Sequence, residues 1–419
     1  MPGQNTAQAI VIGGGVVGTA ITYSLARAGM SVIQLERDGL ASGTAGATDG
    51  YVVYHTKKAG IHLELAIASG KMFAGLAEEI RDISGIDIEY EQNCGSMQVL
   101  DNEAEWPFVE KMVKEQHEST GLDIAMYTIE ELRKIEPALN PALIGGLYSP
   151  TGGKVNPFRL VFGMAASAKK IGAQIYEGTP VSGLIRVGNT VKGVQTPKGD
   201  FYGDYIINAC GTWGGEVAKL AGLDYPIKPR RGQILVTEPV IPMVHCTMQC
   251  GRTTAIKLNP KMLGLLDEEI VRLGQGFCLE QTQDGSFLIG FTREFAGFDK
   301  RTTLKAMELM AARAVKYIPA LEHMNIIRSF SGLRPYTPDG LPLLGMPGGV
   351  KGFVMAAGHE GDGICLAPIT GKLIAELLTT GKTSYPLDKF SCESHNRERS
   401  VFPSLSETSS QAHEARSAL

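Results

Sequence analysis

The run Gly13-Gly14-Gly15-Val16-Val17-Gly18 constrains this chain more than any other stretch, because it turns sharply between an apolar strand, 9–12, and a helix beginning near Val17. Gly13 permits the tight turn and Gly15 lets the backbone come close to a pyrophosphate. Gly18 lets helix and strand pack together, while the first N–H groups of the helix, at Val16 and Val17, face the phosphates with the positive end of the dipole. The glycine spacing alone is weak evidence. Here it continues as a helix over 19–28, a helix-ending Gly29 and a second strand, 31–35, that closes on Glu36 and Arg37. An acid at that point accepts hydrogen bonds from a ribose 2′-hydroxyl, which favours FAD or NAD over NADP.

The chain has 419 residues, 43% of them hydrophobic, enough for a large core and two domains. A net charge of −4 gives no global basic field. Nucleic acid is therefore not an expected partner, and a small anionic substrate would need local cations. The lead 1–7 is polar and does not read as a signal peptide, and no run of about 18 apolar residues reads as a spanning helix. Seven scattered cysteines without a CxxC pair suit a reducing cytoplasm. His245, Cys246 and Cys250 are close together but match no metal-ligand spacing, and no metal is expected.

Residues 39–50 form a loop of small residues beyond the second strand, where an α/β sheet binds ligands. Its N–H groups and the Ser42 and Thr44 hydroxyls, with Gly43, Gly46 and Ala47, are candidates to hold cofactor oxygens. Residues 61–84 read as one packing helix, and 106–118 and 128–135 as polar helices. A helix over 158–171 leads to strands 173–177, 181–187 and 190–195, the second of these starting at Val181. The strand 205–209 ends at Ala209 and runs into Cys210-Gly211-Thr212-Trp213, so a third strand end offers close backbone approach. Strands at 231–237, 276–281 and 287–292, backed by a helix over 302–317, read as a second, mixed-sheet domain. A strand over 328–333, a turn-rich stretch over 334–345 and a strand over 353–356 lead to Gly358-His359-Glu360-Gly361-Asp362-Gly363 and a helix from Ile364 to 379. The Ser-rich tail after Pro403 reads as loosely attached.

Taken together, these segments resemble the D-amino-acid-oxidase-like superfamily of flavoproteins, which includes glycine oxidase, sarcosine oxidase and amino-acid dehydrogenases. The resemblance spans residues 9 to about 390. It rests on the glycine turn with Glu36, the Ser42-Gly43-Thr44 loop, Arg230-Arg231-Gly232-Gln233, Asp284-Gly285 before Ile289-Gly290, Gly332-Leu333-Arg334-Pro335, and Gly358-His359 before Gly363-Ile364. It implies an α/β fold: a Rossmann-like FAD-binding domain (1–90, 151–225 and 326–402) with a mixed-sheet α+β substrate domain (91–150 and 226–325) inserted in it, and a tail over 403–419.

The resemblance also implies an FAD-dependent oxidation of a C–N bond in a small amino or imino acid, by hydride transfer to flavin N5. Arg334 matches the arginine that grips the substrate carboxylate, with Tyr336 and His359 as further catalytic candidates and Tyr51, His55 and His245 as weaker pocket residues. Gly361-Asp362-Gly363 matches the loop under the flavin pyrimidine edge. Relatives that bind FAD covalently do so through a cysteine where this chain has Arg334, so the cofactor is expected to be non-covalent. Their oxygen-activating lysine has no counterpart in Phe287-Leu288-Ile289. The loop wording is similar to flavin subunits of heteromeric bacterial dehydrogenases for opines, hydroxyproline or proline, and to the glycine-oxidising subunit of hydrogen cyanide synthase. A dehydrogenase with electron-accepting partner subunits is thus the expectation. A peroxide-forming oxidase and a non-catalytic flavin subunit are the rivals. An oligomer is expected, in the cytoplasm, with a membrane-peripheral position as the alternative.

Overall fold

The computed structural model describes residues 5–391; the first four residues, Cys392 and the Ser-rich tail lie outside them. The strand Thr6–Ile12 pairs in parallel with Val32–Leu35 on one side and Phe201–Asn208 on the other. Ile10 and Val11 are fully buried because a parallel sheet is covered on both faces. Gln174–Tyr176 extends the sheet beyond Val32–Leu35, and Phe353–Ala357 joins Phe201–Asn208 in parallel. Gly183–Val187 and Thr190–Gln195 form a hairpin at the far edge. The carboxyl ends of the parallel strands point to one end of the sheet, where the glycine turn lies.

Helix Val16–Arg27 begins at the turn and packs against helix Gly363–Thr380 in the larger core. That second helix corrects the expectation that no segment is long and apolar enough to span a bilayer: its 18 residues have a mean hydropathy of 1.3. Two-thirds of it is buried inside the protein, so its apolar faces are used in the core.

The second sheet runs Ile326–Tyr336, Lys228–Thr237, Phe287–Gly290, Cys278–Gln281, Thr247–Cys250, Ser96–Leu100, Gly145–Ser149, Ala125–Thr128. It is mixed, since Thr247–Cys250 runs parallel to Ser96–Leu100 among antiparallel pairs. Helix Leu304–Tyr317 backs it through Ala306, Met310, Ala314 and Tyr317. The strand Ile326–Tyr336, expected as the start of the last cofactor-domain segment, is hydrogen-bonded along its length to Lys228–Thr237 in this second sheet. Its end also differs from the expected turn-rich stretch, because Arg334, Pro335 and Tyr336 remain in the ladder.

The single helix expected over 61–84 is two, Ile61–Gly70 and Phe73–Ser84. The break falls at Gly70, where a side chain would collide with the Tyr54 ring; apolar spacing alone runs through it.

Gly18 has a similar constraint against backbone: an added Cβ would collide with the Gly13 carbonyl, whereas one on Gly15 meets no protein atom within 4 Å. Gly18→Ala should therefore cost the cofactor-free protein about 1–3 kcal/mol in urea unfolding. Gly15→Ala should cost clearly less. Equal losses would contradict the packing assigned to Gly18.

Candidate functional site

A cleft of about 400 Å³ collects the carboxyl ends of the first sheet. Gly13, Gly15, Val16, Val17, Glu36, Arg37, Ser42, Gly43, Thr44 and Ala47 line it from the first two strands and the small-residue loop. Val181, Ala209, Gly211 and Trp213 line it from the third strand end and its neighbour, and Gly332, Arg334, His359, Glu360, Gly361, Gly363 and Ile364 complete it. Helices Val16–Arg27 and Gly363–Thr380 both point their N-termini at this space, and neither has a side-chain cap. Free N–H groups at two helix ends and open space over Gly15 fit an extended, pyrophosphate-bearing dinucleotide.

Glu36 has a second task besides facing the cleft. Its carboxylate accepts N–H bonds from Gly14 at 2.5 Å and Asp38 at 2.8 Å, which fixes the glycine turn to the strand end. Arg37 lies 4.5 Å from the Trp213 ring centre, and Trp213 stacks on Phe298. The Thr44 hydroxyl, expected to face cofactor oxygens, donates at 2.6 Å to the Leu333 carbonyl, as Thr212 does at 2.5 Å. The loop is thereby stitched to the strand that carries Arg334.

A second cavity adjoins the cleft and shares Thr48, Asp49, Arg334, Glu360 and Gly361 with it. Arg334 comes from the second sheet, where Arg230 is its cross-strand neighbour and Gly232 faces Gly332. A side chain at Gly232 would collide with the Arg334 guanidinium, which lies over that bare backbone and donates to the Thr292 carbonyl at 2.9 Å. Gly332 lets the Ala47 carbonyl approach in the same way.

The walls of this cavity are strongly charged. Lys57 and Asp362 pair at 2.6 Å, and His62 reaches the other Asp362 oxygen at 3.1 Å. Burial opposes the Asp362 charge, yet Lys57 and His62 outweigh it and hold the carboxyl well below its usual range. Glu360 pairs with Arg230. Burial again opposes the charge, but Arg230, Arg293 and Arg334 lower Glu360 to about 2. Asp49 accepts from the Cys278 thiol at 3.3 Å, and burial raises its pKa. Burial, then the charge of Arg293, pushes Lys257 down to about 8.

Several expected residues stand elsewhere. Tyr336 lines neither cavity, because the Arg230 guanidinium covers its ring at 4.9 Å and Phe295 packs edge-on. His359 lines the cleft, but its Nε2 is engaged by Thr370 at 3.1 Å, and burial lowers its pKa to about 4. It is a neutral residue of the scaffold at pH 7, which argues against acid–base work there. Gly18 and Gly46 serve packing, Gly46 against Phe158, and Gly358 makes room for Thr337. Asp362 lines only the second cavity. Tyr51 lines that cavity too, its hydroxyl given to the Leu279 carbonyl at 2.7 Å. His55 is buried away from both, and His245 is mostly exposed beside Glu136. Arg231 is engaged by Glu294 and Asp299, so it is not spare for a ligand.

Asp49, Lys57 and Lys257 escape sequence reasoning, because each reaches the cavity from an otherwise ordinary loop or helix. The missing lysine of strand Phe287–Gly290 thus has two lysines from other elements nearby.

A nucleotide cleft beside a charged cavity defines a dinucleotide-dependent oxidoreductase. The chain belongs to the FAD dependent oxidoreductase family, whose model matches residues 8–377. It is 29% identical over 420 residues to hydrogen cyanide synthase subunit HcnC of Pseudomonas aeruginosa, covering 90% of this chain and 93% of that one. It is 28% identical to glycine oxidase of Bacillus subtilis over 376 residues, covering 88% and 92%. Among solved structures, glycine oxidase from Geobacillus kaustophilus superposes with a TM-score of 0.84 at 27% identity, over 94% of this chain and 100% of that one. L-proline dehydrogenase from P. horikoshii gives 0.81 at 26% identity, over 92% and 97%. The cofactor is FAD, as the resemblance implies.

The seat of Arg334 gives a direct test. Gly232→Ala should keep FAD bound and displace the flexible guanidinium rather than the backbone. The rate of anaerobic flavin reduction at low substrate should fall at least about tenfold, the scale of one weakened charge-assisted bond. An unchanged rate would show that the guanidinium need not lie over Gly232.

Proposed function

We propose that this chain oxidises the carbon–nitrogen bond of a small amino or imino acid and passes the electrons to an acceptor or partner chain other than oxygen. The observation that carries the reading is Arg334, a guanidinium standing in both the cofactor cleft and the adjoining cavity. One of its N–H groups is committed to Thr292, and the rest of its planar fork suits a carboxylate. Glycine oxidase and L-proline dehydrogenase, by their names, act on small amino and imino acids. On this reading the first sheet holds FAD and the second supplies the substrate domain, with strand Ile326–Tyr336 lending Arg334 across the boundary.

FAD, held without a covalent link, supplies the hydride acceptor, its N5. The protein's part is orientation and electrostatics. Arg334 holds the substrate carboxylate. The substrate's ammonium must lose a proton before its α carbon gives up hydride, and Asp49, shared by both cavities with a raised pKa, is the carboxyl available to take it. The imine left behind hydrolyses. The N-terminus of helix Gly363–Thr380 favours negative charge in the cleft by about 0.3–1 kcal/mol.

HcnC is by name a subunit, which supports transfer to a partner chain here. Direct reaction with oxygen is the second reading, favoured by the ammonium groups of Lys57 and Lys257 in the cavity. The six cysteines described are free, in keeping with a cytoplasmic location.

An anaerobic screen of glycine, sarcosine, proline and hydroxyprolines reads the function by bleaching of the flavin band, and the recolouring rate in air separates the two acceptors. Slow recolouring is expected; peroxide formed as fast as the flavin is reduced would establish the oxidase. Arg334→Ala should cost about 3–5 kcal/mol in transition-state binding, since it strands the substrate's charge. Arg334→Lys should recover part of the loss, and an amine lacking the carboxylate should barely respond. Equal losses for both substrates would make Arg334 scaffolding.

A further inference from the structure

The cavity beside the cleft holds more positive charge than one substrate carboxylate needs. Lys57 is neutralised by Asp362, and Arg230 by Glu360. Arg293 and Arg334 both lie against the Phe291 ring, at 4.4 and 5.3 Å from guanidinium carbon to ring centre. Lys257, on helix Arg252–Leu258, lines the same cavity and makes no ion pair or hydrogen bond among the described residues. Asp49, the remaining carboxyl on these walls, is the one assigned to the substrate's ammonium, and burial raises its pKa.

The cations also differ in place. Arg334 stands in the cofactor cleft as well as in the cavity, whereas Lys257 and Arg293 line the cavity alone. A carboxylate on Arg334 puts the neighbouring carbon at the cleft. The other end of the same molecule then faces Lys257 and Arg293. An unpaired ammonium such as that of Lys257 is costly in a poorly solvated pocket, and an arriving anion removes that cost. Burial and then Arg293 push the Lys257 amine down to about 8 against the pull of Asp362 and Glu360, so it is still protonated at pH 7.

We propose that Lys257, with Arg293, forms a second anion subsite, and that the substrate is an amine carrying two carboxylates, one on Arg334 and one at Lys257. This rests on the amino-acid reading of the site and narrows it. Polar side chains of Gln98, Gln249, Thr253 and Thr254 on the same walls suit a hydrophilic substrate end better than an alkyl group.

The test uses the FAD-loaded protein and two thioethers that cannot be oxidised as amines. (Methylthio)acetate has one carboxylate, and thiodiacetate is the same skeleton with a second. Each is titrated against the visible flavin spectrum. The wild-type protein should bind thiodiacetate about 10- to 100-fold more tightly, the value of one charge-assisted contact. Lys257→Met should bring that ratio to within about threefold, and Lys257→Arg should restore most of it. Flavin content and melting temperature check that each variant is folded.

A wild-type ratio near one, with flavin still bleached by glycine or sarcosine, overturns the second subsite and leaves the amino-acid reading standing. So does a Lys257→Met variant that weakens both thioethers alike, or that slows only reoxidation in air. Failure of both thioethers to perturb the flavin, together with failure of every amino acid to bleach it, overturns the amino-acid reading and the subsite with it.

Discussion

The geometry of the candidate site depends on a guanidinium lying across a bare strand. Arg334 can lie there only because Gly232, two residues along the neighbouring strand from its partner Arg230, has no side chain to displace it. The ladder between Lys228–Thr237 and Ile326–Tyr336 also pairs Gly232 with Gly332, and the latter admits the Ala47 backbone of the small-residue loop. A single two-stranded register therefore sets the position of the cation relative to the loop that lines the cleft. The Thr44 and Thr212 hydroxyls, both bonded to the Leu333 carbonyl, hold that register against the small-residue loop and the Cys210-Gly211-Thr212-Trp213 segment.

Charge placement follows from this frame. The segment Gly358-His359-Glu360-Gly361-Asp362-Gly363 starts the last long helix, and its two acids are each tied to a cation, Glu360 to Arg230 and Asp362 to Lys57. Such buried pairs add little net stability, because desolvation offsets their attraction. Their effect here is positional. Asp362 is spent on Lys57 and His62 rather than on capping the helix, which leaves the N–H groups of Gly363 and Ile364 for the cleft. Glu360 adopts φ 50°, a left-handed conformation uncommon for a side chain of its size, and the ion pair with Arg230 holds it there.

The cofactor half of the fold was legible because its signals are local. The glycine turn, the helix-ending Gly29 and Glu36 fall within 24 residues of one another, and the structure places the turn and Glu36 at one cleft. Arg334 stands out in the sequence through its motif, and it lines both the cleft and the cavity. The cavity was not. Asp49, Lys57 and Lys257 meet through tertiary contacts between segments some 200 residues apart, and no periodicity records which face of a short helix will look inward. Tyr336 misled for a related reason. It shares the strand face of Arg334, but Arg230 from the adjacent strand covers its ring, and cross-strand neighbours are not visible in one segment. His359 carries the chemistry of a base in sequence and loses it to burial and Thr370 in the fold.

The central claim is that Arg334 receives the substrate carboxylate beside the flavin. A crystal structure of the FAD-loaded protein soaked with (methylthio)acetate tests it without turnover. The account predicts both carboxylate oxygens at about 2.7–2.9 Å from the Arg334 guanidinium, with the adjoining carbon at the cleft. A carboxylate held by Lys257 or Arg293 alone, with Arg334 still bonded only to Thr292, would contradict it.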